Sequence, residues 1–406
     1  MEENQIVKKT ALFVYIPLIL TIIIDTLGMG IVYPVFASIF NNTSTGILPA
    51  GISITTGNLL YGITLASFSV GMFIGAPLLG DLSDHWGRKK VLLLCLFGEG
   101  IGMWVCAAAI SYKFISLIIL SRFFTGLLAG SFGIAQAAVI DISPEHKKTV
   151  SLSLISIAAG VGFAIGPIIG SYFVISPFFG QFGYSGPFVF AGLLALLNGY
   201  LLMITFKETF RFMKPSKIDL NKGYKLFISG LTNEKLKYPA IALLLIQISW
   251  VIYFLASSLF MVKVFKFDIS RLGYFVSFIA AVYGFTLIVI IRILVKVFDT
   301  KSILLWSCIL LGCGMMLASI KTEFISWLAI IPIAMGAGLA YLAVITLFSD
   351  AASKDSQGWA MGVAASVSAV AACFASVLSG ILPSFSFTLT YVIAAVFAFM
   401  AAFVIK

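Results

Sequence analysis

Twelve times along this chain the charged side chains almost vanish for about twenty residues, the length an α-helix needs to cross a hydrocarbon core of roughly 30 Å. The apolar blocks fall near 11–40, 57–79, 91–110, 114–140, 149–175, 186–206, 237–262, 271–296, 301–319, 324–348, 357–383 and 386–405. Each predicts a transmembrane helix, so the expected fold class is an all-α membrane protein. With 61% hydrophobic and 10% charged residues the chain cannot fold as an ordinary soluble globule, whose charged share is about a quarter. The period-two alternation of a membrane β-barrel is missing. Lys8 and Lys9 precede the first block as in a signal peptide, but the block runs from Ala11 to Phe40. That exceeds a signal core of about 7–15 residues, so a retained first helix is expected.

The net charge of +10 is explained by topology rather than by nucleic acid. With the N-terminus inside, twenty of the 26 cations fall in inner loops and tails: Lys8, Lys9, Arg88, Lys89, Lys90, Lys147, Lys148, the eight from Lys207 to Lys237, Arg292, Lys296, Lys301, Lys354 and Lys406. Five fall outside, namely Lys113, Lys263, Lys266, Arg271 and Lys321, and Arg122 lies within a helix. This bias predicts cytoplasmic termini at both ends.

The longest polar stretch divides the chain into a six-helix half (1–206), a cytoplasmic linker (207–236) and a second six-helix half (237–406). Lys214, Lys217, Lys222 and Lys225 in the linker read as a topology determinant or a site for anionic lipid. The halves echo each other, since Asp141 to Gly170 and Asp350 to Gly380 are each an acidic loop followed by a small-residue helix ending in glycine. Repeated six-helix halves point to alternating access around a central site.

The loop after the second block reads Gly80-Asp81-Leu82-Ser83-Asp84-His85-Trp86-Gly87-Arg88-Lys89-Lys90. Gly80 and Gly87 permit a tight turn, Asp84 is an acceptor, and Arg88 and Lys89 supply cations for carboxylates or lipid phosphate. Together they predict a cytoplasmic latch. This segment resembles the signature loop of the major facilitator superfamily, and the resemblance implies two six-helix halves tied together by the latch in the outward-open state. It also implies that Asp84 meets the helix beginning near Gln357. His85 stands where the family often has arginine; it reads as an ordinary loop histidine or as a pH-sensitive addition to the latch.

In the fifth block, Gly162, Gly166, Pro167 and Gly170 make a flat stripe with a bend, which small-residue packing alone would also explain. The pattern resembles the antiporter motif of the drug:proton branch of that superfamily, which implies export. Arg122 in Arg122-Phe-Phe-Thr-Gly126 resembles the family's RxxxG element. A buried arginine costs at least ~2.5–3.5 kcal/mol on insertion scales, so it should face a cavity or a carboxylate.

The candidate proton carriers are Asp25 and Glu99 inside helices, with Asp141 at the end of the fourth; Arg122 would modulate them. The stretch from Asp25 to Lys207-Glu208-Thr209 resembles tetracycline/proton antiporters. Those proteins carry an aspartate where a straight reading puts Gly102, with Glu99 one turn earlier, so tetracycline itself does not follow as the substrate.

The second half has no acidic residue inside its helices, and its echo of the latch, Lys296 to Lys301, is degenerate. Its expected role is substrate contact, through Gln247, Trp250, Tyr253, Tyr283 and Tyr341, unless these merely pack. The five cysteines sit in apolar blocks without metal spacing, so no metal, cofactor or disulfide is expected. No nucleophile–base or phosphate-loop constellation indicates an enzyme.

The expected function is proton-coupled export of a drug-like or amphiphilic metabolite by a monomer in a bacterial inner membrane, with small molecules, protons and the lipid bilayer as partners. Alternatives are a siderophore exporter, a proton-coupled uptake symporter for an amino acid, sugar or organic acid, and a non-transporting receptor or scaffold.

Overall fold

The computed structural model describes residues 2–41, 46–49, 51–144, 148–177, 180–209, 219–353 and 356–405, with side chains excepted at 2–14 and 148–149. Among the expected inner cations, Lys147, Arg211, Lys214, Lys217, Lys354 and Lys406 lie outside the described residues, as do the side chains of Lys8, Lys9 and Lys148. The helices in chain order are α1 (Glu2–Ile39), α2 (Ile54–Trp86), α3 (Arg88–Ser111), α4 (Ile115–Leu128), α5 (Ser131–Ile142), α6 (Lys148–Ile175), α7 (Gly186–Thr205) and α8 (Lys222–Thr232). They continue as α9 (Lys237–Val264), α10 (Ile269–Phe285), α11 (Ile291–Leu294), α12 (Thr300–Ala318), α13 (Glu323–Ala351), α14 (Gln357–Phe385) and α15 (Phe387–Ile405).

Among the described residues, twelve spans are long and apolar enough to cross a membrane, as the block pattern predicts. In lipid every backbone group must be paired within the segment, and a helix achieves this while showing apolar side chains outward. The spans differ from the blocks in detail. The fourth, Ile115–Ile142, is two helices, because the winding tightens at Ala129 and Gly130 between α4 and α5. The eighth, Ile269–Leu294, contains a π turn at Thr286–Ile290. Polar caps start the helices that follow short loops: Ser53 accepts the Thr56 amide at 3.1 Å, and Asp268 the Arg271 amide at 2.8 Å. Asp299, in the degenerate echo of the latch, caps α12, and the Ser302 hydroxyl at 2.6 Å holds its carboxyl below the usual range.

Glycines set the helix spacing where backbones touch. Gly166 of α6 packs on the Leu27 carbonyl of α1, and a Cβ there would stand 2.6 Å from that oxygen. Gly162 and Gly170 meet Ile23 and Ile31 of the same helix, so the predicted stripe is the seam between α1 and α6.

Two of the crossings between the first six spans and the last six lie at the end of the bundle remote from the Gly80–Lys90 segment. Gly62 of α2 faces Gly380 of α14, with Asn58 donating to Ser384 at 3.0 Å. Lys263 of α9 also bonds Asn58, and Tyr61 donates to the Leu255 carbonyl at 3.3 Å. In the second crossing Ser171 of α6 donates to the Ile269 carbonyl of α10 at 2.8 Å. This end is closed.

At the other end the segment expected as a solvated linker contains α8, which lies across α2 and α14. Gly223 approaches the Phe73 carbonyl, Gly362 faces Leu226, and Lys222 pairs with Asp81. Lys225, exposed, pairs with Asp219 at 2.7 Å and depresses that carboxyl's pKa.

Candidate functional site

A buried polar cluster lies within the first six spans. Ser131, fully buried at the start of α5, has its Oγ 2.7 Å from Asp25 Oδ2 on α1 and 3.1 Å from Glu99 Oε1 on α3. The second carboxyl oxygen of Asp25 is buried with no hydrogen-bond partner. The break between α4 and α5 makes this possible, since it brings the first residue of a helix to mid-bundle. Gly102 faces Thr125 of α4 instead, so Glu99, one turn earlier, is the acid that α3 turns toward Asp25.

Arg122 of α4 lies beside the cluster and is 3% exposed. Its guanidinium stacks 4.6 Å from the centre of the Phe68 ring, and Nη1 lies 4.0 Å from Met103 Sδ. Its Nε has no partner, and no carboxylate pairs with it among the described residues. A desolvated cation–π contact contributes about 2 kcal/mol, which offsets much of the ~2.5–3.5 kcal/mol insertion cost. Gly126 explains the stacking: α4 rests there on the Phe68 carbonyl of α2, leaving no room for a side chain.

Two adjoining cavities meet at Met29, Phe68 and Arg122. The first holds Asp25 and Glu99. The second, between the first six spans and the last six, is aromatic. Tyr33 stands edge-on to Phe254 at 4.8 Å, with Phe163 and Trp250 within 5.8 Å of the same ring. Tyr283 stacks on Trp250 at 5.3 Å, outside the cavity wall.

Of the expected substrate contacts, therefore, Trp250 lines the cavity and Tyr283 supports it. Tyr253 is 1% exposed and packs on Tyr391, on the opposite side of α9 from the cavity. Gln247 and Tyr341 are half-buried and outside the lining of either cavity. Tyr33, Phe163 and Phe254 escaped the sequence reading because aromatics are frequent in every span.

The latch residues are brought together within one half. Gly87 turns the chain at φ +94°, a conformation that favours glycine, and Arg88 then opens α3. Glu208 accepts the amides of Arg88 at 2.9 Å and Lys89 at 3.1 Å, capping α3 from a distant part of the chain. A Cβ on Gly87 would occupy the place of that carboxylate. Arg88 bonds Asp84 and the Ser83 hydroxyl, each at 2.6 Å, and Asp141 at 3.4 Å. Lys89 reaches the Met203 carbonyl at 2.8 Å.

Two expectations change here. Asp141 joins the latch rather than Asp25 and Glu99, because it sits at the far end of α5 from Ser131. Gly80, expected at a turn, lies inside α2 with no atom within 4 Å of where a Cβ would stand, so Gly87 alone turns the chain; His85 bonds the Asp81 carbonyl one turn back. Asp84 pairs with Arg88 in this state, which is closed at the end remote from the latch; its expected contact with the start of α14 belongs to the outward-open state.

The sequence model of the Major Facilitator Superfamily matches residues 18–376. Among curated proteins, the class E tetracycline resistance protein of Escherichia coli is 30% identical over 184 residues, covering 45% of this chain but only 40% of that protein. The class D protein of Salmonella ordonez is 28% identical over 362 residues, 87% of this chain and 85% of that protein. A D-xylose-proton symporter of known structure superposes with a TM-score of 0.76 at 16% identity over 96% of both chains. The twelve spans and a match over nearly the whole length agree: the chain belongs to the Major Facilitator Superfamily and is a multi-pass membrane protein.

Proposed function

We propose that this chain is a proton-coupled secondary transporter that exports a drug-like or amphiphilic metabolite by alternating access. The observation that carries the reading is the convergence of Asp25 and Glu99 on one buried hydroxyl beside Arg122. Two carboxyls this close in apolar surroundings repel when both are ionised, so the site has a reason to hold a proton. Export is supported by similarity to tetracycline resistance proteins.

In this reading 1–206 and 237–406 rock about the aromatic cavity, with 207–236 linking them. The Gly80–Lys90 latch faces the cytoplasm, which makes the described state closed to the outside. Trp250 and its aromatic neighbours hold the apolar body of the substrate. Asp25 and Glu99 take up protons after release, and Asp141 with Arg88 belongs to the latch.

The test is flux in proteoliposomes under an imposed pH gradient, screened over lipophilic drugs, siderophores and amino acids. Asp25→Asn is expected to abolish gradient-driven flux and leave substrate binding largely intact; gradient-driven flux retained in Asp25→Asn would sink the proposal. One observation favours uptake by cotransport instead, namely that Arg122 lacks a carboxylate partner and offers a seat to a substrate's acid group. Flux with the proton gradient rather than against it would select that reading.

A further inference from the structure

Resting on the reading of Asp25 and Glu99 as the proton site, we infer that Ser131 is a positioning residue that passes the proton between them. A serine hydroxyl has one hydrogen and two lone pairs, yet two carboxyls compete for it at 2.7 and 3.1 Å. It can donate to only one of them at a time. The other carboxyl is then held only if it is itself the donor, so the arrangement is satisfied by one proton: Glu99 O–H to Ser131 Oγ, and Ser131 O–H to Asp25 Oδ2.

Transfer runs as one concerted exchange. The Glu99 O–H bond breaks as a new Oγ–H bond forms, and the original Oγ–H bond breaks as the hydrogen joins Asp25. Serine returns as a neutral hydroxyl pointing the other way. No other reactant is needed.

Three further features fit this role. Ser131 is fully buried between the two carboxyls. It stands at the break between α4 and α5, so its position is set by the Leu128 to Ser131 turn, where the Gly130 amide bonds the Leu128 carbonyl at 2.8 Å. Glu99 is also in direct hydrogen-bonding reach of Asp25, so the two carboxyls and the hydroxyl close one triangle in which a single proton is shared.

The ionisable groups around the hydroxyl are few. α1 presents Asp25; α3 presents Glu99 and, one turn away, buried Cys95; α4 presents Arg122, beyond which lie Tyr33 and Cys106. α7 adds only Ala191 and Ala195 to the cavity wall, and α5 adds Phe132.

The test is a pH titration of the carboxyl infrared bands of the full-length chain in lipid nanodiscs, without any ligand. Bands are assigned by their loss in Asp25→Asn and Glu99→Gln. Ser131→Ala is expected to displace the midpoints by about one pH unit, the scale of one hydrogen bond to a charged group, and Ser131→Thr to restore them. A Ser131→Ala titration identical to the unaltered chain overturns the inference. Should the alanine variant fail to fold, Ser131→Cys, similar in volume but a weak donor, takes its place under the same criterion. If no band of the unaltered chain depends on Asp25 or Glu99, the proton-site reading itself falls and the inference falls with it.

Discussion

The carboxylate of Glu208 accepts the backbone amide of Arg88 at 2.9 Å, although the two residues lie 120 positions apart. The bond ties the end of the sixth span to the start of the third. Glycine at the cap position offers no side chain for the exposed amides of α3, and Glu208 supplies the missing acceptor. Glu208→Ala is expected to cost about 1–2 kcal/mol, as the loss of a helix cap does, and Gly87→Ala more, because it adds strain at φ +94° and displaces the carboxylate. Thermal unfolding in detergent should rank them Gly87→Ala below Glu208→Ala below the unaltered chain; Glu208→Ala melting below Gly87→Ala would mean the cap contributes more than the turn.

Asn58 of α2 and Ser384 of α14 lie in side-chain contact at the closed end. The double variant Asn58→Cys, Ser384→Cys should form a disulfide under mild oxidation and stop transport, with activity returning on reduction. Full transport with the crosslink in place would show that this contact need not open during the cycle.

Arg122 serves two cavities with a flat guanidinium over Phe68. Lysine keeps the charge but not the stacking plane, so Arg122→Lys should lower proton-driven flux by at least about tenfold while the protein still reaches the membrane. Flux within about twofold of the unaltered chain would reduce Arg122 to a simple point charge.

α8 is pinned between α2 and α14 by the pair of Lys222 and Asp81, both partly solvent-exposed. Such a pair contributes about 0–1 kcal/mol, enough to bias a conformational equilibrium but not to unfold the chain. Lys222→Gln should slow crosslinking of the 58/384 cysteine pair by favouring closure at the latch end, with an unchanged melting temperature. A drop in melting temperature with unchanged crosslinking would make α8 a packing element only.

Asp25, Glu99 and Arg122 were legible as candidates because charges inside a span are rare and costly, and the Gly87 turn because a glycine there precedes a run of cations; that Gly80 is helical was not legible. Ser131 was not, since serine is common in membrane helices and nothing in its neighbours marks the break that exposes it to two acids. Tyr253 and Phe254 illustrate the limit more sharply. They are adjacent in sequence, yet one packs on Tyr391 and the other lines the cavity.

The sequence by itself determined the solvent and the number of spans, because hydrocarbon thickness imposes a length and a composition that any spanning helix must obey. The tertiary structure alone decided which acid pairs with which partner. Glu99 rather than Gly102 faces Asp25, and Asp141 falls to Arg88 instead. These choices depend on the rotation of each helix and on the break in the fourth span, which close packing of the whole bundle sets and no local run of residues encodes.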